Sequence, residues 1–171
     1  MIYDSDVAQG DRIWCARVAI YNKQYKPEHT DHMVTMFKKA IPVFRTMLDF
    51  PEDTKFRIAP IKARNKSGMY RERTKTVTVD NRLKLDQALE VLAHELVHAE
   101  QYHQGRMTWE KGYNYWQGER WCKGQGSNYT AYRNLPWEKE AWGRQAELAD
   151  IVDRKLGMVY IKRSIDDLIK E

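Results

Sequence analysis

The stretch VLAHELVHAEQYH, Val91 to His103, decides how this chain is read. Leu85, Leu89, Leu92, Leu96 and Ala99 recur every three or four residues, which is the spacing of one helix face. The spacing predicts a helix from about Leu85 to His103. Val91 and Val97 add apolar surface off that stripe, so the helix is expected to be buried nearly all round. His94 and His98 are four apart and lie on one face, where their imidazoles can reach a common point. Two histidines on a buried helix need polar partners.

The spacing His94-Glu95-x-x-His98 offers a specific partner. A hydrolytic zinc site takes three protein ligands and keeps a fourth position open for water. The metal acidifies that water, and a nearby carboxylate takes its proton. His94 and His98 would be two ligands and Glu95 the base. The competing reading is a buried helix that carries two histidines by coincidence.

A third ligand has to come from elsewhere. Of the five histidines, His29 and His32 fall in another predicted helix, on its surface. His103 does not fit the H-E-x-x-H-x-x-G-x-x-H pattern, because Gln101 takes the glycine position and His103 comes one residue early. The helix expected from Pro136 to about Leu156 offers Glu138 and Glu140 in its first turn, and Gly157 stops it. Glu138 shares its face with Ala141, Trp142, Gln145, Ala149 and Val152. Glu140 shares its face with Arg144 and Glu147. A ligand must look inward, which favours Glu138. Glu140 and Cys122 stay as alternatives.

With those residues placed, the chain resembles the gluzincins, which combine H-E-x-x-H with E-x-x-A on a later helix, here Glu138 to Ala141. HELVHAEQY and YxxLPWEKEAW are similar to small zinc metallopeptidases encoded by bacteriophages and bacteria. The resemblance spans about Val77 to Leu156. It implies a zincin-like α+β fold, bound zinc, peptide-bond hydrolysis and a substrate-binding edge at the strand before the active helix. The pattern departs at Trp142, where many gluzincins carry an Asp or Asn that orients a ligand histidine. Support for the histidines must then come from other residues.

Outside the motif, His29 to Leu48 has helical spacing (Met33, Phe37, Ala40, Phe44, Leu48), with Pro42 expected to kink or end it. Phe56–Ile61, Met69–Arg73 and Thr74–Val79 are predicted strands, the last from its alternating β-branched residues. Asn65 to Gly68 is a predicted turn. Gly105 to Arg133, rich in Gly, Tyr and Trp, is predicted as loop or hairpin, and Tyr160 to Glu171 as a short amphipathic helix. The sum is one α+β domain, a small twisted sheet against two long helices. Five of the six tryptophans lie between Trp109 and Trp142, and most are expected to form a small second core. Tyr132 is the candidate for polarising a scissile carbonyl.

The whole chain has 171 residues, 42% hydrophobic and 31% charged, with a net charge of +5. That is ordinary for a soluble domain with a core. No apolar run is long enough to span a bilayer. The start, MIYDSDVAQGDRIW, lacks a signal-peptide pattern, and Cys15 and Cys122 suggest no disulfide scaffold. The expected setting is cytoplasmic, that of the host if the gene is a phage's, and the expected partner is a polypeptide substrate. Lys62 to Lys75 carries six basic residues against Glu72. A solvated face is the expected reading. A nucleic-acid contact is the alternative, as in a SprT-like peptidase acting on DNA-bound protein; the other alternative is a binding module with a structural zinc.

Overall fold

The computed structural model describes residues 19–20, 27–63, 66–121 and 129–157. Helix α1 (Pro27–Arg45) comes before two strands, β2 (Lys55–Ile58) and β3 (Gly68–Arg71). A 3-10 turn at Glu72–Thr74 leads into β4 (Thr76–Val79), and then comes α2 (Leu85–His103). Three strands follow, β5 (Met107–Glu110), β6 (Tyr113–Trp116) and β7 (Glu119–Arg120). Two helices close the described chain, α3 (Tyr129–Arg133) and α4 (Pro136–Leu156), while β1 (Ala19–Ile20) stands at its start. The architecture is α+β. The expected helix at Tyr160–Glu171 lies outside the described residues, as does Cys122.

The first sheet has the order β1-β2-β4-β3. β1 and β2 run parallel, as do β2 and β4, and β3 turns back antiparallel to β4 with Gly68 opposite Val79. This corrects one expectation. The strand before the active helix, β4, is not an edge, because it is paired on both sides. β3 is the edge. Its sequence, GMYR, was legible only as the end of a turn followed by a short extended piece.

The core forms where α1 and α2 pack on this sheet and α4 packs on those two helices. Met33, Phe37, Ala40 and Phe44 of α1 meet Phe56 and Ile58 of β2, Val77 and Val79 of β4, and Leu89, Leu92 and Leu96 of α2, all buried. Ala141, Ala149 and Val152 bring α4 against the same core. Their small side chains allow the two long helices to approach closely. Pro42 stays inside α1, exposed, and the helix ends three residues later at Arg45. α4 runs from Pro136 at its first turn to Gly157, whose φ of 57° gives the left-handed cap that favours glycine.

The Gly- and Trp-rich stretch is an ordered three-stranded meander. Lys111-Gly112 (φ 49° and 87°) and Gln117-Gly118 (φ 51° and 86°) make its two tight turns. Two left-handed residues in a row suit the twist of a hairpin. Trp137 of α4 is buried between Trp116 and Trp121, with ring centroids at 6.3 and 6.1 Å. Only Trp137 is buried there, Trp116 is half-buried and Trp121 is 45% exposed, so most of these rings do not form the expected second core. Trp109 is 54% exposed.

Candidate metal centre

His94, His98 and Glu138 converge on one point. The helical repeat of α2 stacks the two imidazoles on the face turned toward α4, and the first turn of α4 supplies the carboxylate. The Nε2 atoms of His94 and His98 are 3.1 Å apart. Glu138 Oε2 lies 3.4 Å from His94 Nε2, and Glu138 Oε1 lies 3.4 Å from His98 Nε2. All three side chains are buried.

This geometry fits a metal ion. Three donors at about 2.0–2.2 Å from a tetrahedral ion stand about 3.3–3.5 Å from one another. Here the two Nε2 atoms are 3.1 Å apart, each stands 3.4 Å from one oxygen of the Glu138 carboxylate, and one donor atom from each residue lies within 4.8 Å of the other two. Glu138 Oε2 is also buried without a hydrogen-bond partner. A carboxylate oxygen in that state is costly, and a cation would satisfy it. Glu140, the alternative, points elsewhere. It accepts from Arg106 Nη2 at 3.0 Å and from Arg144 Nη1 at 2.9 Å, in a network that includes Glu100. His103 is exposed, 3.6 Å from Asp49.

Protonation follows from the same contacts. Burial alone would push the His98 ring down, but the hydrogen bond and charge of Glu138 outweigh it and hold it up at about 9. Burial would raise Glu138, but the two imidazoles, each 3.4 Å from one of its oxygens, hold it down at about 2. Without a metal, then, the His98 ring holds its second proton more tightly than a free imidazole does.

Glu95 sits beside this cluster, buried, and burial raises its proton affinity against the pull of the two imidazoles. It accepts a hydrogen bond from the Tyr70 backbone N–H of β3. The contact requires a glycine nearby. A Cβ on Gly68 would lie 2.5 Å from Val91 Cγ1 and 2.6 Å from Glu95 Oε1. The sequence marked Gly68 only as part of a turn. Its role appears once the strand is seen lying on the helix.

Tyr132, on α3, is half-buried, and its hydroxyl hydrogen-bonds to the Glu138 carboxylate. Burial and that negative charge raise its pKa far above the tyrosine range. Trp142 packs on the edge of His94, with centroids 5.0 Å apart, and Arg133 stacks over the indole. The site opens into a cleft of about 530 Å³ whose walls include Gly68–Tyr70, Glu95, Tyr132 and Trp142. A smaller cleft of about 360 Å³, between Ile61 and Leu83, holds none of these groups.

The expected support for the histidines is present, though at positions the motif did not indicate. His94 Nδ1 is 2.9 Å from Gln145 Oε1, and His98 Nδ1 is 2.9 Å from Gln101 Oε1. Gln145 shares the face of Glu138, two turns on, and Gln101 follows His98 by one turn. Lys62, Lys66, Arg71, Arg73 and Lys75 are all exposed, and Lys75 pairs with Asp53 at 2.9 Å. Among the described residues, no helix is long and apolar enough to cross a membrane. Comparison of the chain with known protein families, with curated proteins and with solved structures found no match.

Proposed function

We propose that the chain is a zinc-dependent peptidase with a zincin-like fold. The observation that carries this reading is the meeting of three donor atoms with a separate carboxylate, Glu95, in one open cleft. Two imidazoles and one carboxylate suit zinc and leave it an open position. When bound, zinc would polarise the scissile carbonyl and lower the pKa of the attacking water.

The chain's own residues supply the rest. His94, His98 and Glu138 hold the ion. The Glu95 carboxylate takes the proton of the attacking water and passes it to the leaving amine nitrogen. Its raised proton affinity brings it nearer the working pH, where such a group transfers protons best. The Tyr132 hydroxyl, now on Glu138, is the donor available to the developing oxyanion. β3 borders the cleft as an edge strand, so an extended polypeptide would pair with its backbone.

The test is metal analysis together with hydrolysis of an unfolded protein substrate. The wild type should hold about one zinc per chain and cleave the substrate. Glu95→Gln should hold zinc and cleave at least about 10²-fold more slowly. A zinc-loaded wild type that cleaves no peptide bond in a broad peptide mixture would reject the reading.

A further inference from the structure

The amide groups of Gln101 and Gln145 have a direction, and that direction decides whether the histidine cluster accepts a metal. An amide turned one way offers its oxygen to Nδ1 and makes that nitrogen the N–H donor, so Nε2 keeps its lone pair. Turned the other way, it offers N–H and pushes the ring proton onto Nε2. In this site Nε2 faces Glu138, so the second arrangement closes the cluster as a buried His–Glu hydrogen-bonded group with no place for a cation.

Neighbouring groups fix both amides. Gln101 is fully buried, and its Nε2 donates to the Trp137 carbonyl at 3.0 Å. A carbonyl can only accept, so the Gln101 oxygen must face His98 Nδ1, at 2.9 Å. Gln145 hydrogen-bonds to the Glu90 side chain, one turn before His94 on α2. The Gln145 oxygen faces His94 Nδ1 at 2.9 Å, which leaves its N–H group for the Glu90 carboxylate. Each histidine is therefore oriented by an amide that a third group orients in turn. The Trp137 carbonyl belongs to the residue before Glu138, so Gln101 also ties the helix of His98 to the helix of the third ligand.

We infer that Gln101 and Gln145 are positioning residues that keep a proton on Nδ1 of His98 and His94, so that Nε2 is the nitrogen each ring gives to a metal. Both act without adding negative charge, where a carboxylate would add one. This deepens the metal-site reading and rests on it for the identity of the ion.

The experiment uses the full chain and two readouts. Zinc affinity is measured by competition with a chromophoric chelator. The His94 tautomer is measured from ring ¹⁵N shifts in the metal-free protein. In the wild type His94 should carry its proton on Nδ1. Gln145→Met keeps the shape and removes the acceptor. It should lower zinc affinity about 10–100-fold and move the His94 proton toward Nε2. Gln145→Glu combined with Glu90→Gln restores an acceptor for His94 and keeps a donor–acceptor pair between the two side chains, and it should recover both readouts. Gln101→Met should weaken zinc binding by a similar factor. An affinity within about twofold of wild type at either position removes that glutamine from the assignment. A Gln145→Glu, Glu90→Gln double variant as weak as Gln145→Met would overturn the idea, since the loss would then reflect packing. If the wild type binds no zinc, the metal reading fails, and the ¹⁵N shifts still decide the tautomer assignment.

Discussion

At the scale of single residues, the two glutamates of α4 have different tasks. Glu138→Ala should abolish tight zinc binding, because it removes a ligand and leaves two imidazoles alone. Glu140→Ala should keep zinc and lower the melting temperature, since Arg106 and Arg144 would share Glu100 alone. Chelator competition and thermal melts separate the two. His98 provides a pH test. Its proton is held up to about 9, so zinc must displace it. Binding at pH 8 should release about one proton per chain, and affinity should rise about tenfold per pH unit until it levels above 9. Calorimetry in buffers of different ionisation enthalpy measures this, and no proton release would refute it. The sign for the metal-free fold follows from the same shifts. The raised His98 value gives stability that is complete below its ordinary 6.5 and lost as pH rises through about 9. The lowered Glu138 value gives stability present above 4.5 and lost as pH falls through about 2.

At the scale of elements, the approach of β3 to α2 carries the next test. Gly68→Ala would place a methyl 2.5 Å from Val91 and 2.6 Å from Glu95. Overpacking of this kind costs about 1–3 kcal/mol. It should displace the base while the zinc ligands, whose side chains are not among those the methyl meets, keep their ion. Lower stability and slower hydrolysis with full zinc occupancy is the expected result, and unchanged kinetics would show that β3 does not hold Glu95. The same elements show what could be read in advance. α1, α2 and α4 were legible because apolar residues at helical spacing mark a buried face whatever it packs on. The choice of Glu138 over Glu140 was legible because helix phase alone turns one inward. The sheet order was not legible, because the parallel pairing of Ala19-Ile20 with Arg57-Ile58 depends on distant contacts. The meander had a signal that went unused, the pairs Lys111-Gly112 and Gln117-Gly118 between aromatic runs. Gln101 and Gln145 could be singled out only once the ring orientations were known.

At the scale of the whole molecule, the proposed metal joins α2 to α4, the two helices that share the core with the first sheet. A ligand that binds only the folded state stabilises it, by about 4 kcal/mol at a thousandfold excess over its dissociation constant. Zinc should therefore raise the melting temperature and a chelator should lower it again. Glu138→Ala should be blind to both. The most direct measurement is a zinc titration of chelator-stripped wild type and Glu138→Ala protein, followed by competition. The account expects one tight site per chain in the wild type and its loss in the variant. A wild type that takes up no zinc, or a variant that binds it as tightly, would contradict the assignment of His94, His98 and Glu138 as one metal centre.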